Sequence, residues 1–402
     1  MPMKTKAKAK AKAGVAQGIL LLIGSCLPIL ASVLLGPVLA DVQKYFIATP
    51  GVKILTPVML TISALTAALF APFAGILIDK IGRLRLLLGA LVFYSIVGTA
   101  PLYLPTLQMI VFSRALLGAA EASILTVCTT MIGDYFQGKE RATWLSLQGA
   151  VTAFSAMIFF GAGGALGELG WRTPFWLYMA GIILLPLVFL LLWEPKIPKE
   201  ATRLKDHTKT RLPWPLLVAA YPFTVITGVA LLMIPVQSSF LLNQLGLYAP
   251  AVAGSLSAAN SAAVFIGALA FRFILRFGYS VVFAVGFIFC GAGMLVFSQS
   301  HAQTGLLIGS SISGLGIGIL LVSLINWVLM AMPENMRGTG TGGFSACILI
   351  GQFISPLVIL LLRADGLSLS SALHSFGLFV IVISILGYLA PRLIRGLMSQ
   401  VA

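Results

Sequence analysis

Long apolar runs, separated by short polar breaks or breaks that contain glycine or proline, recur along the whole chain. A run of about 20 apolar residues is long enough to cross the hydrocarbon core of a bilayer as a helix. The pattern predicts twelve such spans, at residues 16–40, 54–78, 86–104, 107–132, 143–167, 173–193, 214–240, 250–271, 280–299, 304–331, 339–362 and 369–391. An even number of spans places both termini on the same side of the membrane.

Lysine and arginine residues concentrate on one side of these spans. If the N-terminus lies inside, the inner breaks carry most of the basic residues, and the outer breaks carry only Lys44, Lys53, Arg172 and Arg363. Cytoplasmic loops retain lysine and arginine because these residues resist translocation. We therefore expect an integral, multi-pass protein of a bacterial inner membrane, with both termini in the cytoplasm.

The longest polar stretch of the chain runs from Glu194 to Pro215 and separates six spans from six. The sequence predicts a basic cytoplasmic tail at 1–15, a first six-helix half at 16–193, a cytoplasmic linker at 194–213, a second six-helix half at 214–391 and a cytoplasmic tail at 392–402. The Lys/Ala alternation of the first tail is typical of a solvated arm, and contact with anionic lipid is the alternative interpretation.

The composition agrees with a membrane protein and excludes several functional classes. Of the 402 residues, 59% are hydrophobic and 9% are charged, whereas a soluble domain has about a quarter of charged residues. The net charge of +15 follows from the inner loops, so it does not indicate a nucleic-acid partner. The four cysteines and three histidines show no metal-ligand spacing, and no phosphate-binding GxxxxGK[ST] sequence occurs. We expect no metal, no cofactor and no catalytic residue, and hence no enzyme.

The break between the second and third spans has a distinctive sequence, GILIDKIGRLRLL, at residues 75–87. An acid at the end of a helix can pair with a nearby basic group, and Gly82 permits a tight turn. The loop resembles the signature loop of the major facilitator superfamily, and the matching residues are Gly75, Leu77, Asp79, Lys80, Gly82, Arg83 and Arg85.

Two echoes of the first half appear about 195 residues later. The segment GALAFRFILRFG (267–278) resembles the signature loop, although Phe271 replaces the acid, and ENMRGTG near Arg337 resembles GKERA near Arg141. The family resemblance implies an all-α membrane fold of twelve transmembrane helices, in two pseudo-symmetric six-helix halves around a central cavity.

The fourth span contains two charged residues, Arg114 and Glu121. They are seven residues apart, so they lie on nearly the same helix face, about 10 Å apart along the axis. Ionisable residues inside a membrane usually mark function, and a buried carboxylate can bind and release a proton. We therefore predict proton coupling at Glu121 and Arg114; the alternative is a pair that only fixes helix packing. The pattern RALLGAAEAS with GDYF and ER also resembles organic-anion symporters and spinster-like lipid transporters through Arg114, Gly118, Glu121, Ala122, Asp134 and Arg141.

Further polar residues suggest secondary sites. Asp41 ends the first span and is either a second protonation site or a solvated helix end that faces Lys44. Asp134, Arg141 and the loop residues Gly75, Asp79, Lys80, Gly82 and Arg83 predict a cytoplasmic gate whose charge pairs form in one conformation and separate in the other.

The second half has no acid within a span, and its polar side chains are amides. Such amides either line a cavity or bridge helices. The candidate cavity residues are Gln237, Asn260, Asn326 and Gln352.

The fifth span partly resembles the antiporter motif of drug exporters through Gly149, Gly163 and Gly164. Phe159 and Phe160 replace the usual Gly-Pro pair, which weakens the likeness to an exporter.

These features favour a secondary transporter that works in the bilayer as a monomer, with a small-molecule substrate and protons as the coupling ion. Export of amphipathic compounds fits a cavity with one carboxylate, because an anion carrier needs basic groups from both halves. Proton-coupled uptake of an organic anion and transport of lipids or lysolipids are the alternatives.

Overall fold

The computed structural model describes residues 13–195, 214–332, 336–364 and 366–401, and every regular element within these residues is a helix. Twelve helices are long and apolar enough to cross a membrane, as the apolar runs predicted. They are α1 (Val15–Tyr45), α2 (Val52–Ile81), α3 (Arg83–Leu102), α4 (Leu107–Tyr135), α5 (Gly138–Gly167), α6 (Thr173–Leu191), α7 (Trp214–Gln244), α8 (Pro250–Phe277), α9 (Tyr279–Gln299), α10 (Gln303–Ala331), α11 (Arg337–Leu362) and α12 (Leu369–Val401). Most of the predicted N-terminal tail and linker lies outside the described residues.

The first helix is longer than predicted and is interrupted. Its α-helical part ends at Val33, a 3₁₀ turn follows at Gly36–Val38, and α-helix resumes at Leu39–Tyr45. Glycine and proline in the sequence GPV disfavour the continuation of an α-helix. The prediction ended this span at residue 40 because Asp41 is charged, but Asp41 lies within the last helical segment.

The helices of the bundle alternate in direction, so their ends form two faces. We call the face where α1 begins the tail face and the face where α1 ends the opposite face. At the tail face, the ends of α2 and α4 are joined through Arg83 and Asp134. At the opposite face, the ring of Tyr45 contacts that of Trp171, before α6.

Close helix contacts in the bundle depend on glycine. At Gly118 of α4, a Cβ atom would lie 2.3 Å from the Ser63 carbonyl oxygen of α2, so no larger residue fits without movement. At Gly314 of α10, it would lie 2.3 Å from the Asn260 carbonyl oxygen of α8. Small residues let membrane helices approach in this way. The α2–α4 contact therefore has a counterpart in α8–α10.

The loops after α2 and α8 also share their backbone geometry. Gly82 has φ 97° and ψ 156°, and Gly278 has φ 88° and ψ 160°. Left-handed values of φ favour glycine, which has no Cβ atom. The two glycines are 196 positions apart, as are Gly118 and Gly314. This register places Phe271 opposite Gly75, whereas the sequence comparison had paired Phe271 with Asp79.

Buried apolar side chains form two large clusters, one mainly in α1–α6 and one mainly in α7–α12. The contacts between these two groups of helices are close at the opposite face. There, Gly164 of α5 lies against the backbone of Pro250 and Gly254 in α8.

At the tail face, the ends of α2, α5 and α11 are not covered by the described helices of the other group. Their exposed residues include Asp79, Lys80, Gly138, Lys139, Gly338 and Thr339. The bundle is therefore closed at the opposite face and open at the tail face.

Candidate functional site

Arg114 lies in the middle of the first six helices and is fully buried, with 0% exposure. Its Nη2 donates to the Ala31 carbonyl oxygen at 2.8 Å and to the Tyr178 hydroxyl at 2.6 Å. Its guanidinium carbon lies 4.8 Å from the centre of the Tyr178 ring. Nε and Nη1 are buried and have no hydrogen-bond partner within the described part of the chain. Arg114 thus ties α4 to α1 and α6 and keeps unused donors.

The break in α1 explains why this carbonyl can accept a hydrogen bond. Ala31 lies in the last turn before the helix ends at Val33, and carbonyls of a last turn lack partners within the helix. One turn earlier, the Tyr94 hydroxyl donates to the Leu27 carbonyl oxygen at 2.7 Å. Tyr94 and Tyr178 pack with ring centres 5.4 Å apart, so two tyrosines and an arginine surround the interrupted helix.

Glu121 lies two helical turns from Arg114, on the side of the tail face, and is 4% exposed. Its Oε1 has no hydrogen-bond partner among the residues described. The ion pairs found in this part of the chain do not include one between Arg114 and Glu121, which are about 10 Å apart along the helix axis. Both charges are therefore buried with polar atoms left unpaired, which is costly in an apolar medium.

A stripe of α4 leads from Glu121 toward the tail face. Residues 114, 118, 121, 125 and 129 lie on one side of the helix, and this side is buried from Arg114 to Glu121 but exposed at Leu125 and Thr129. The helix lies between α2, which packs on α11, and α5, which packs on α8, so its exposed part borders the gap between the two groups of helices. We call this gap, on the tail-face side of Glu121, the cavity.

The predicted gate residues meet at the tail face. Arg83 contacts Asp134 at 3.2 Å through Nε and Asp79 at 3.9 Å through Nη1, so it joins the ends of α2, α3 and α4. Arg141 is exposed beside Gly133, whose Cβ position is 3.2 Å from Nη2. Gly75 is half-buried and Lys80 is exposed. Within the predicted gate cluster, Asp134 therefore pairs with Arg83.

Glu194 belongs to the same group, although the sequence analysis did not select it. Its carboxylate accepts hydrogen bonds from the backbone N–H groups of Arg83 and Leu84, both at 2.8 Å. A carboxylate at a helix N-terminus is favourable because it meets unpaired N–H groups and the positive end of the helix dipole. The residues after α6 are thereby attached to the start of α3. An acid directly after a span is the signal that identifies such a residue.

Asp41 lies at the opposite face, where the two groups of helices meet. The Tyr248 hydroxyl lies 2.9 Å from Asp41 Oδ2 and 3.0 Å from the Pro37 carbonyl oxygen. Burial and the nearby Asp41 carboxylate raise the pKa of Tyr248 above its usual range, so the hydroxyl stays protonated and donates. Close by, Glu168 accepts from the backbone N–H of Ala251 at 2.9 Å. Nothing in the sequence pattern indicated Tyr248 or Glu168, whose hydrogen bonds join residues more than 80 positions apart.

Comparison with known proteins decides the family of this fold. Residues 21–356 match the sequence profile of the Major Facilitator Superfamily. The chain belongs to the major facilitator superfamily. It is a membrane transporter rather than an enzyme.

The similar proteins within the superfamily have names that indicate different functions. The chain is 25% identical to rat Protein spinster homolog 1 over 53% of its length and 41% of the relative's. It is also 25% identical to the class B tetracycline resistance protein of Escherichia coli, over 65% of the chain and 59% of that relative. The matched stretches thus span about half the length of these curated relatives, and the substrates of the relatives do not transfer directly.

A solved structure supports the fold over nearly the whole chain. It is a crystal structure of a bacterial homolog to the human lysosomal transporter Spinster, in an inward-facing and occupied conformation. The TM-score is 0.75 at 16% identity, over 93% of this chain and 96% of that one. At this identity the likeness shows the superfamily fold alone.

Within this superfamily fold, the amides of the last six helices lie in different surroundings. Asn260 is 1% exposed, and its Nδ2 donates to the Ser310 carbonyl oxygen at 2.8 Å, so it bridges α8 and α10. Asn326 is half-buried and bonds to the Val322 carbonyl oxygen of its own helix at 2.7 Å. Gln237 is buried, and Gln352 is half-buried. Asn326 and Gln352 keep the exposure that a cavity residue needs, whereas Asn260 joins helices.

The charged centre of α4 has no counterpart in α10. In the register of 196 positions, Ser310 corresponds to Arg114 and Ile317 to Glu121. Ser310 Oγ bonds within its own helix to the Leu307 carbonyl oxygen, and Ile317 is buried in the apolar cluster of the last six helices. The charge in this transporter is therefore concentrated on one side of the cavity.

A buried polar cluster that the sequence analysis missed lies beside the exposed part of α4. Gln148 of α5 donates through Nε2 to Ser25 Oγ of α1 at 2.7 Å and to Thr129 Oγ1 of α4 at 3.0 Å. Three helices thus meet at one amide. Gln148 lies within the predicted fifth span, and no feature of the sequence distinguished it from an amide that only packs between helices.

Proposed function

We propose that this transporter exchanges protons for small amphipathic compounds and exports them by alternating access. The observation that carries the proposal is Glu121, a buried carboxylate with an unpartnered oxygen at the closed end of a cavity. A protonated carboxyl group in this place avoids the cost of a buried charge, and a substrate that carries positive charge replaces the proton in that role. Glu121 then binds the proton and the substrate in turn.

The bias of basic residues supports a cytoplasmic position for both termini in a bacterial inner membrane, which makes the tail face the inner face. The open cavity then faces the cytoplasm, and the contacts at Asp41, Glu168 and Gly164 close the outer side. Such a state is inward-facing, and the similar structure of the spinster homolog is also described as inward-facing. Export requires those outer contacts to separate while the tail face closes.

Uptake of an organic anion is less well supported by the geometry. Arg114 has two donors without a partner among the described residues, but it is fully buried, so it presents no surface to an anion in the cavity. The second group of helices has Ser310 and Ile317 in place of a charged pair. An anion in this cavity would meet Glu121 before it met Arg114, since Glu121 lies nearer the open end.

Transport of a lysolipid is a second candidate, favoured by the likeness to spinster proteins. The stripe beyond Glu121 presents Leu125, which is exposed to the cavity and suits an alkyl chain. A lysolipid therefore belongs in the panel of compounds that tests the proposal.

The test uses proton movement in inside-out vesicles that are acidified inside. Cationic drugs, neutral amphiphiles, organic anions and a lysolipid are added in turn to vesicles with the wild type, with Glu121→Gln, or with Glu140→Gln. Glu140 is an exposed acid in the first turn of α5 and serves as the matched control. We expect a cationic amphiphile to release protons in the wild type and in Glu140→Gln but not in Glu121→Gln. Normal proton release by folded Glu121→Gln would refute the assignment.

A further inference from the structure

The carbonyl oxygen of Gln148 is an acceptor held in place beside Thr129, in the exposed part of α4. Ser25 Oγ donates to the Leu21 carbonyl oxygen at 2.8 Å, and Thr129 Oγ1 donates to the Leu125 carbonyl oxygen at 2.8 Å. Each hydroxyl has a single proton, so both can only accept from the Nε2 of Gln148. This fixes the orientation of the amide, with both N–H groups used.

Within the described residues, the opposite end of the amide has only one, longer contact. Gln148 Oε1 has a contact of 3.3 Å with Thr129 Oγ1, but the proton of that hydroxyl already has the shorter bond to Leu125. The side chain is 7% exposed and lies against Thr129, whose own surface opens to the cavity. A buried amide oxygen without a strong donor gains from a hydrogen bond supplied by a ligand.

The location matches the path of a substrate. Thr129 lies eight residues beyond Glu121 toward the open face, about 12 Å along α4. An amphipathic molecule that places its cationic part near Glu121 can reach Gln148 with a second polar group. The residues between these two positions are small or apolar on the cavity side, with Leu125 exposed.

We propose that Gln148, oriented by Ser25 and Thr129, is a specificity-determining residue of the cavity that accepts a hydrogen bond from an amino group of the substrate. This inference rests on the proposed function, because it assigns a second contact to the same transported compound. It predicts a preference between compounds of equal charge that differ in amino groups. Transporters build such preferences by leaving a polar group unpaired when the wrong compound binds.

Two lipophilic cations separate this role from a general effect on the cavity. Ethidium carries two aromatic amino groups, whereas tetraphenylphosphonium has no hydrogen-bond donor. Binding to the purified full chain is measured by the fluorescence of ethidium and by a radiolabelled tetraphenylphosphonium assay. For Gln148→Leu we expect the Kd of ethidium to rise roughly fivefold, the effect of one lost hydrogen bond, with the Kd of tetraphenylphosphonium unchanged.

Two more variants make the test independent of folding. Gln148→Glu keeps the shape and the acceptor oxygen, so ethidium should bind at least as tightly as to the wild type. Gln137→Leu, at an exposed glutamine before α5, should change neither Kd. If Gln148→Leu changed the Kd of both cations equally, or changed neither Kd, the inference would be overturned while the proposed exchange stayed intact. Absence of ethidium binding to the wild type would also overturn it, and the proton assay would then judge the proposed function separately.

Discussion

Arg114 and Glu121 are held by the protein in different ways, although both are buried charges on one helix face. The arginine has two acceptors and an aromatic ring, on α1 and α6, so its place is fixed by other helices. The glutamate has an unpartnered oxygen and lies next to the cavity. In the proposed mechanism, Arg114 is therefore a fixed charge that influences Glu121, and Glu121 is the group that changes its protonation.

The contact between Arg114 and Tyr178 leads to a prediction for stability. Tyr178→Phe removes the hydroxyl that accepts from Nη2 and keeps the ring, so a buried charged donor loses one partner. We expect a loss of about 1–3 kcal/mol in the free energy of unfolding, seen as a lower Tm in detergent. Tyr103→Phe, which changes an exposed tyrosine, should leave the Tm unaltered. A Tm equal to that of the wild type in Tyr178→Phe would show that the bond contributes nothing.

At this scale the sequence revealed the charges and not their partners. Arg114 and Glu121 are recognisable because charged residues are rare inside apolar runs. Tyr178, Gln148 and Tyr248 carry no such signal, since aromatic and amide residues in or beside spans usually pack or bridge helices. Their partners are 64, 123 and 207 positions away, and only the packing of the helices brings them together.

The helices themselves were predictable because a span needs a continuous apolar run of a certain length. The extension of α1 beyond residue 40 and the early start of α5 were not found, because both depend on residues at the ends of an apolar run. Asp41 and Lys44 lie within the last helical segment of α1, and the polar residues from Gly138 extend α5 beyond its apolar run. Hydropathy measures neither effect.

The contact of α4 with α2 gives a prediction for one helix pair. Gly118→Leu would place side-chain atoms where the backbone of Ser63 and the Thr66 hydroxyl already lie. We expect the helices to separate, at a cost of at least about 1–3 kcal/mol, and a loss of monodisperse protein in size-exclusion chromatography. Gly89→Leu on α3, where no other atom lies within 4 Å of the Cβ position, should behave like the wild type. A stable, monodisperse Gly118→Leu would contradict the contact.

The ends of α2, α3 and α4 lead to a prediction for turnover. Asp79 contacts Arg83 only at 3.9 Å and is largely exposed, as expected for a gate group when the tail face is open. Asp79→Asn should lower kcat more than it raises KM for a transported compound, because the gate lies at the tail face, more than about three turns from Glu121. Glu140→Gln is again the control. A raised KM with an unchanged kcat would place Asp79 in substrate binding.

At the scale of the whole molecule, the two groups of helices touch at one face and part at the other. Family resemblance implied two halves around a cavity, but it did not say which side is closed. That depends on contacts such as Tyr248 with Asp41 and Gly164 with Pro250, which join distant parts of the chain. The same sequence can form a bundle that is open at the tail face or one that is open at the opposite face. The two states differ in these long-range contacts, which have no signature in the sequence.

The close approach of α5 and α8 predicts how closure can be blocked. Gly164→Leu would meet the Pro250 carbonyl oxygen, 2.7 Å from the Cβ position, whereas Gly161→Leu on the same helix meets nothing within 4 Å. We expect Gly164→Leu to favour a state in which the opposite face is open and the tail face is closed. In a background without the four native cysteines, Thr129→Cys should then react more slowly with a reagent added from the side of the tail face. Equal rates in Gly164→Leu and Gly161→Leu would contradict this account.

The central claim is that substrate and proton compete for Glu121. The most direct measurement follows the pH of a weakly buffered solution of purified protein while a transported cation is added. The account predicts proton release on binding by the wild type and by Glu140→Gln, and binding without proton release by Glu121→Gln. Proton release that persists in Glu121→Gln, or substrate binding to the wild type without any release, would contradict it.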